Sequence, residues 1–382
     1  MRPRSRPAAR VGRLDCTLEV PSGESSRVDR LGRWAAARLS GRLYRRTWEG
    51  AVVSYPDPHG WPQEVTDIAA AHRRVRALAR RLAQRFGPEA EAVSVSGEGD
   101  GRPRRRALLD YLARAGEWTA RRYEQQQRAY ARAYDEAVEI LPPDRTMDLV
   151  VLPASGCPNG RCSFCAFYRG RSLRVKSGAA YRSHLSAVSD LFGPALGLRR
   201  GVFLGSASAV SLPQERLLAV LDETRRQLGE FPAGIAAFWD PDHAPRRDEA
   251  RWLELDQRGL RAVYVGMETG LSELRGALGK APLIDALIGA LRAVRQTAIR
   301  LGVIVLCGIG GPQRLVAHRE ATAAAVERLE LRPSDLVFVS PLRGALDPVR
   351  LADEERLLRQ AIRQRTVARV VPYAMDAFRY YC

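Results

Sequence analysis

Three of the six cysteines in this 382-residue chain lie within nine residues of one another. The segment GCPNGRCSFCAFYRG (156–170) carries Cys157, Cys162 and Cys165 in the spacing C-x4-C-x2-C, among Gly, Pro and Asn residues that favour a loop. Such a loop can wrap until several thiolates point at one centre, and thiolates are ligands of zinc and of iron–sulfur clusters. The segment therefore predicts a metal centre.

Three kinds of metal centre compete for this spacing. A structural zinc site needs four ligands, and the nearest downstream histidines, His184 and His243, are not suitably spaced. A plant-type [2Fe–2S] ferredoxin shares the spacing of the first three ligands but needs a fourth cysteine soon afterwards, whereas the next one is Cys307. A [4Fe–4S] cluster held by three thiolates leaves one iron open to a small molecule, and this is the interpretation that we favour.

The cysteine segment follows the first of six short apolar runs that alternate with helical segments after Asp148. The runs are DLVVLP (148–153), GVFLG (201–205), GIAAFW (234–239), AVYVGME (262–268), GVIVLCG (302–308) and DLVFVS (335–340). Continuous apolar strands separated by helices indicate a parallel sheet covered by helices. We predict an α/β fold, a partial (β/α)6 TIM-like barrel over residues 146–382 with a C-terminal tail. In such barrels the chemistry lies at the C-terminal ends of the strands, where the cysteines fall.

Residues 1–145 are predicted to form a mostly helical N-terminal extension, whose first 20 or so residues are disordered. Helical patterns cover 30–46, 66–86 and 107–140, and the last reads as one long amphipathic helix. The segment between 47 and 64 is rich in Pro, Gly and Trp and indicates a loop or short strands.

The cysteine segment resembles the radical S-adenosylmethionine (radical SAM) superfamily, in a subgroup whose first two cysteines are separated by four residues rather than the usual three. The resemblance covers about residues 148–382. It implies that SAM chelates the open iron and is cleaved reductively to a 5′-deoxyadenosyl radical, which takes hydrogen from a substrate. It also implies flavodoxin or ferredoxin as electron donor. The substrate favoured is a small biosynthetic metabolite; the alternatives are a tRNA-modifying radical SAM enzyme and a non-enzymatic iron–sulfur electron carrier.

The resemblance further implies a set of SAM contacts at the strand ends. Phe164 matches an aromatic position near the adenine. Gly205 and Ser206 in FLGSASA stand where the family has a Gly-Gly-Glu-like turn, although this chain lacks the Glu. Glu268 and Thr269 in VYVGMETG resemble a Gly-x-Glu-Ser-Gly segment. The remaining implied contacts are Gly308 and Gly310 in VLCGIGG.

Catalytic residues are less well defined by the sequence. Asp240, with Asp242 and His243 nearby, follows the third strand and is a candidate for substrate binding or proton transfer. Cys307 is either a small buried residue or a hydrogen donor. Arg343 is a candidate for an acidic substrate group, and Cys382, the last residue, is expected at a frayed, solvated end.

The formal net charge is +18, and nearly all the cations are arginine. A basic surface attracts nucleic acid or an acidic partner. However, the excess is spread over both halves of the chain, which favours a general compositional bias, so a nucleic-acid partner is possible but unproven.

Cysteine usage and hydropathy favour a cytoplasmic protein. Six cysteines in 382 residues do not suggest a disulfide framework. No apolar run approaches 18 residues, which argues against a transmembrane helix and a membrane partner. The basic N-terminus has no apolar segment behind it, as a secretory signal would require.

Overall fold

The computed structural model describes residues 8–20, 22–55, 63–85, 94–97, 101–344, 346–375 and 378–382. The chain divides into two compact units. The first unit comprises the chain up to Ala137 with Ala187–Arg199 and Arg379–Cys382, and the second comprises Val138–Ser186 with Arg200–Phe378. None of the helices in the described ranges combines the length and apolarity needed to cross a membrane.

Within the described ranges, the first unit contains an eight-stranded sheet, three complete helices and the end of the helix Gly178–Phe192. The strands are β1 Ala8–Val11, β2 Asp15–Glu19, β3 Ser25–Asp29, β4 Trp34–Leu39, β5 Arg42–Arg46, β6 Val52–Tyr55, β7 Gln63–Glu64 and β8 Ser94–Gly97. The sheet order is β7-β6-β5-β4-β3-β2-β1-β8, antiparallel except between β1 and β8. The helices are α1 Ile68–Arg85, α2 Gly101–Glu117 and α3 Ala120–Ala133, and they share one hydrophobic core with alternate residues of the strands.

The prediction of a mostly helical extension is wrong. The segment 30–46, predicted to be a helix, forms β4 and β5, which pair with each other in an antiparallel ladder. Ser40 and Gly41 between them have φ of 50° and 78°, the left-handed conformation of a tight hairpin turn. Pairing with neighbouring strands therefore decides a segment whose Arg and Ala content alone favours a helix.

Three other predictions for the ends of this region also need correction. Residues 8–19 are not disordered, because they form β1 and β2; residues 1–7 lie outside the described ranges. The long helix predicted over 107–140 is interrupted at Thr119, whose hydroxyl caps α3, and α3 ends at Ala133. The C-terminus is not frayed: Tyr381 pairs with Thr47, and the Cys382 N–H donates to the Arg46 carbonyl. The helix predicted over 66–86 is confirmed as α1.

The second unit contains a seven-stranded parallel sheet in the order β17-β16-β15-β14-β13-β12-β9. The strands are β9 Leu149–Val151, β12 Val202–Leu204, β13 Ile235–Trp239, β14 Leu260–Glu268, β15 Arg300–Cys307, β16 Leu336–Pro341 and β17 Arg369–Pro372. All six predicted runs are strands, and β17 is a seventh that the sequence analysis missed. Each strand lies beside the next one of this sheet in the chain, which is the arrangement of a partial (β/α) barrel.

Helices connect these strands. They are α4 Gly178–Phe192, α5 Gln214–Leu228, α6 Glu249–Gln257, α7 Ser272–Ala277, α8 Ile284–Val294, α9 Leu315–Arg328 and α10 Pro348–Arg363. The sheet is buried on both faces, since most residues of β14 and β15 are inaccessible to solvent. This burial explains why the strands are continuous apolar runs rather than alternating ones.

Candidate functional site

The cysteine loop, residues 156–173 of the second unit, is closed at its base by a two-residue antiparallel ladder. This ladder pairs β10 Ala154–Ser155 with β11 Arg174–Val175. Next to it, the Cys157 N–H donates to the Arg171 carbonyl at 3.0 Å. Gly156 starts the loop with φ of 74°, and a Cβ there would lie 2.2 Å from the Ser172 carbonyl oxygen. Glycine is therefore required where the loop closes.

Each of the three cysteine sulfurs accepts an N–H from the same loop. The Gly160 N–H lies 3.4 Å from Cys157 Sγ, and the Tyr168 N–H lies 3.4 Å from Cys165 Sγ. The Asn159 side-chain amide lies 3.2 Å from Cys162 Sγ. Donors of this kind stabilise thiolates and tune the potential of iron–sulfur clusters.

The three thiols line one cavity of about 150 Å³. The cavity also receives side chains from the C-terminal ends of the parallel strands, the edge at which barrels carry their chemistry. Other lining residues are Phe164, Phe167, Tyr168, Ala207, Trp239, Asp240, Glu268 and Lys280. Phe164 also packs against a small apolar cluster that includes Leu274 and Ile309.

Burial is the main influence on the thiols whose pKa is shifted. It raises the pKa of Cys157, against the lowering effect of the N–H donors of Gly160 and Asn159. It raises the pKa of Cys162 to about 11, although the cation of Lys280 opposes this. Within the described ranges, no group of three or more His, Cys, Asp or Glu side chains could hold a single metal ion. Three thiols on one cavity, each with an N–H donor, form a donor set that fits an iron–sulfur cluster.

Glu268 lies at the end of β14 and is a buried carboxylate with an unusual backbone. Its φ of 65° falls in the left-handed region, and the β14–β15 register shifts between Gly266 and Glu268. Burial raises the pKa of Glu268, against the lowering effect of Lys280 and Arg275. Backbone strain in a non-glycine residue is often found at functional sites, so this strand end is a strong candidate.

Lys280 supplies a buried cation on the same cavity wall. Its Nζ lies 3.5 Å from Glu268 Oε1 and 3.8 Å from Asp240 Oδ1. Burial acts to lower the pKa of Lys280, but Asp240 and Glu268 outweigh it and the pKa is raised. Lys280 is therefore held as an ammonium between two carboxylates beside the cysteines.

Ser206 connects the end of β12 to the cysteine loop. It is buried, its φ is 82°, and its hydroxyl donates to the Gly156 carbonyl at 3.2 Å. Gly205 precedes it, and a Cβ at Gly205 would lie 2.4 Å from a methyl of Leu152. The small side chains at this strand end allow β9 and the residue after it to approach closely. A contact of Gly205 or Ser206 with a cofactor stays a prediction.

The remaining predicted cofactor contacts are not among the lining residues of the cavity. The buried Thr269 hydroxyl lies 2.8 Å from His318 Nδ1 and accepts the Leu271 N–H. Gly308 and Gly310 have φ of 78° and 82° in the turn after β15. Their roles as SAM contacts therefore stay predictions.

The candidate catalytic residues are placed differently from one another. Asp240 lines the cavity, and its Oδ2 lies 3.0 Å from His243 Nδ1. Asp242 instead pairs with the buried Arg275 at 2.7 Å. Cys307 is buried within β15, where burial and nearby carboxylates raise the pKa of its thiol to about 12. Arg343 lies in a turn after β16.

The sequence analysis missed Lys280 and two further residues that hold the site together. The Asn159 amide donates to the Gly279 carbonyl at 2.9 Å as well as to Cys162 Sγ, so it joins the cysteine loop to the segment before Lys280. His318 on α9 lies 3.0 Å from the Leu306 carbonyl through Nε2, while its Nδ1 faces Thr269, so it joins the ends of β14 and β15. In the sequence, only the polar residue types of Asn159 and His318 pointed to these roles.

A larger cavity, of about 810 Å³, lies at the opposite edge of the sheet. It is lined by the residues that precede the strands, including Arg145, Arg261 and Arg300. These arginines bond to Asp148, Asp256 and Asp144. In barrel enzymes the reacting groups lie at the C-terminal ends of the strands, and the opposite end contributes to stability. We therefore interpret this cavity as part of the stabilising end of the sheet.

No protein-family model matches the chain, and no curated protein does. Solved structures similar to it include radical SAM enzymes. Coproporphyrinogen III oxidase HemN from Escherichia coli, a radical SAM enzyme, has 13% identity and a TM-score of 0.40, over 62% of this chain and 54% of HemN. Methylornithine synthase PylB has 16% identity and a TM-score of 0.40, over 59% of this chain and 70% of PylB.

The cobalamin-dependent SAM radical enzyme OxsB, with aqua-cobalamin bound, has 17% identity and a TM-score of 0.38, over 56% of this chain. The match covers 30% of OxsB, so the chain spans less than a third of that enzyme's length. Likenesses of this size concern the fold alone. What the chain does is argued from its own cysteine loop and cavity.

Proposed function

We propose that this protein is a radical SAM enzyme whose Cys157, Cys162 and Cys165 would hold a [4Fe–4S] cluster with one open iron. The single observation that carries the proposal is the geometry of the cysteine loop. Three thiols, each accepting an N–H, line one cavity at the C-terminal edge of a parallel sheet. Three protein thiolates rather than four leave a position for SAM.

When bound, the cluster would supply one electron to the sulfonium of SAM, which yields the 5′-deoxyadenosyl radical that takes hydrogen from the substrate. The protein contributes binding and orientation. Glu268 and Asp240 present carboxylate oxygens to the cavity, as acceptors for ammonium or hydroxyl groups, and Lys280 presents a cation for a carboxylate. The aromatic wall of Phe164 and Trp239 excludes water from the reacting atoms.

The substrate that we propose is a small metabolite, with flavodoxin or ferredoxin as the electron donor. The apolar and aromatic cavity lining, with a few charged groups, is typical of small-molecule sites. The competing function is that of an iron–sulfur electron carrier. A radical SAM enzyme releases 5′-deoxyadenosine from SAM, whereas an electron carrier does not.

The proposal is tested by anaerobic reconstitution of the full chain with iron and sulfide. We expect about four irons per chain, a [4Fe–4S]⁺ signal in electron paramagnetic resonance after reduction, a change in that signal on adding SAM, and release of 5′-deoxyadenosine. Replacing Cys162 by Ala is expected to abolish the 5′-deoxyadenosine and the SAM-dependent change. Cys382→Ala is the matched control, because Cys382 lies in the first unit, and it should retain both.

Two outcomes would contradict the proposal. A protein that carries zinc after anaerobic purification, and takes up no cluster, has a different metal centre. A cluster whose signal is unchanged by SAM, with no 5′-deoxyadenosine, supports the electron carrier instead.

A further inference from the structure

Helices α1 and α3 of the first unit present a surface rich in arginine. We define the arginine face as the exposed arginines of these two helices: Arg73, Arg74, Arg80, Arg81, Arg121, Arg122, Arg128 and Arg132. Helix α1 has no acidic residue along its 18 residues, and Glu124 is the single acidic residue of α3. The arginine face therefore carries a large local excess of positive charge.

The two helices meet at one point, while α1 packs along most of its length against α2. The rings of His72 on α1 and Tyr123 on α3 stack with their centroids 4.0 Å apart. The opposite sides of both helices enter the same hydrophobic core, through Val75, Leu78 and Tyr123 among others. Their exposed sides therefore face away from that core, towards solvent.

Few of these arginines are neutralised. Arg81 pairs with Glu24 at 3.3 Å and Arg122 with Glu117 at 2.9 Å, while Arg73 lies 3.8 Å from Asp67. Among the described residues, no acidic partner is found for Arg80, Arg121, Arg128 or Arg132.

The second unit shows that this excess is not a general property of the composition. Its exposed helices place acids beside their arginines. On α5, Arg226 bonds to Glu223, and on α10 Arg356 pairs with Asp353 and Arg359 with Glu355. Helices α5 and α10 together carry six acidic residues against seven arginines, whereas α1 and α3 together carry one against ten.

The chemistry of the face favours nucleic acid over a membrane. Besides arginine, its exposed positions hold small or polar residues: Ala77, Gln84, Glu124, Gln125, Gln127 and Ala131. A helix that binds a membrane surface also needs large apolar side chains, which insert below the headgroups. Arginine guanidinium groups, in contrast, match phosphate oxygens in charge and geometry.

The shape of the face favours a double-helical partner. Within the described part of α1 and α3, the aromatic side chains His72, Tyr123 and Tyr130 are all buried, so these helices present no exposed ring on which single-stranded bases would stack. Helix α1 packs along α2 and contacts α3 through the His72–Tyr123 stack, so neither α1 nor α3 is a lone projecting helix of the kind that enters the major groove of DNA. Double-helical RNA is recognised through its phosphates and shape instead.

We propose that the arginine face binds the phosphate backbone of double-helical RNA. This interaction goes beyond the proposed radical SAM function and does not depend on the cluster. It is therefore measured on iron-free full-length protein, so that its failure and a failure of the cysteine site are distinguished.

The test is fluorescence anisotropy with a labelled RNA hairpin whose stem has about 16 base pairs, over a range of salt concentrations. The face variant carries Arg80→Gln, Arg128→Gln and Arg132→Gln. The matched control removes the same charge from α10 in the second unit, by Arg350→Gln, Arg356→Gln and Arg363→Gln, all exposed. Circular dichroism verifies that both variants are folded.

We expect the face variant to bind at least about tenfold more weakly, and its dependence of log K on log salt to be shallower by about one per arginine removed. The control should match the unsubstituted protein within about twofold. Equal losses in both variants, or no loss in either, would overturn the proposal. So would equal affinity for duplex DNA of the same sequence, or for vesicles of anionic phospholipid.

Discussion

The exposed helices α1 and α3 of the first unit and the cavity wall of the second unit use charged residues in opposite ways. In the first unit, arginines of α1 and α3 are exposed and largely without acidic partners. In the second unit, exposed arginines such as Arg356 pair with acids on the same helix, and Lys280 is buried between two carboxylates on the cavity wall. The difference teaches that one arginine-rich composition can serve two purposes: long-range attraction where charges stay exposed, and local positioning where they are buried and paired.

The largest expected effect concerns the buried charges of the second unit. Replacing Lys280 by Met leaves Glu268 and Asp240 without their cation, and breaking a buried ion pair costs about 3–5 kcal/mol. We expect a loss of that size in the free energy of unfolding, measured by urea unfolding with hydrogen exchange at β14. Adding Glu268→Gln should recover part of it.

The control for that comparison is an exposed pair of the first unit. Arg122→Met removes the ion pair with Glu117, whose side chains are 47% and 61% exposed. An exposed pair of this kind contributes less than about 1 kcal/mol. Equal losses for Lys280→Met and Arg122→Met would contradict the contrast between the units.

The second prediction compares two glycines in the left-handed region. Gly156→Ala combines backbone strain of about 1–3 kcal/mol with a clash against the Ser172 carbonyl, so it should distort the cysteine loop and lower iron uptake. Gly41→Ala in the first unit has similar φ but open space around the new methyl, so only the strain applies. Iron per chain after reconstitution and thermal unfolding measure both, and a normal iron content in Gly156→Ala would count against the loop geometry.

The third prediction is a pH effect that should be alike in both units. Burial lowers the pKa of His72 in the first unit to about 4, helped by Arg46, and burial lowers the pKa of His318 in the second unit to about 4. The unfolded chain therefore binds more protons than the folded chain between about pH 4 and the ordinary histidine pKa of about 6.5. The contribution of each neutral histidine to the free energy of unfolding is therefore fully present above about pH 6.5. It is lost as the pH falls from there towards about 4.

Between pH 7 and pH 5 we expect each histidine to reduce the free energy of unfolding by about 2 kcal/mol. Urea unfolding at the two pH values, followed by hydrogen exchange in each unit, measures the losses. His318→Gln should reduce the pH dependence of the free energy of unfolding in the second unit and leave that of the first unit unchanged. Profiles that do not respond to pH would show that the histidines are not held neutral.

The smallest expected effect is a change in the free energy of unfolding that is positive for a substitution in the first unit and negative for one in the second. Arg80 lies one helical turn from Arg76, a like-charge spacing that costs about 0.2–0.5 kcal/mol, so Arg80→Gln should raise stability by that amount at low salt. Arg356→Gln removes the exposed pair with Asp353 on α10 and should lower stability by a similar amount. Both changes should vanish at high salt because exposed charges are screened. Thermal unfolding at two salt concentrations measures them, and shifts of the same sign would contradict the comparison.

The second unit was far more predictable from sequence than the first. Its strands are buried on both faces, so each is a continuous apolar run, and the six predicted runs all became strands. The short strand β17, in which only Val370 of its four residues is buried, lacks that signal. Strands β4 and β5 of the first unit are less completely buried, and Arg38 and Arg42 occupy their exposed positions, so this Arg- and Ala-rich segment resembled a helix.

The candidate site was predictable in its ligands and less so in its supports. The spacing of the three cysteines is local and pointed to a metal centre directly. Asp240 follows β13 and Glu268 ends β14, so the rule that barrel chemistry lies at the C-terminal ends of the strands identified both. Lys280 and Asn159 carried no such signal, because their importance comes from contacts with residues far away in the chain.

The sequence by itself determined the cysteine spacing, the parallel α/β core and the excess of arginine, since each is a local or compositional property. The tertiary structure alone decided which charges are neutralised. Packing brings Lys280 between Glu268 and Asp240, and it brings α1 and α3 into contact at one point with their arginines exposed. The physical reason is that electrostatic interactions depend on distance and burial, and distances between residues remote in sequence are fixed only when the chain folds.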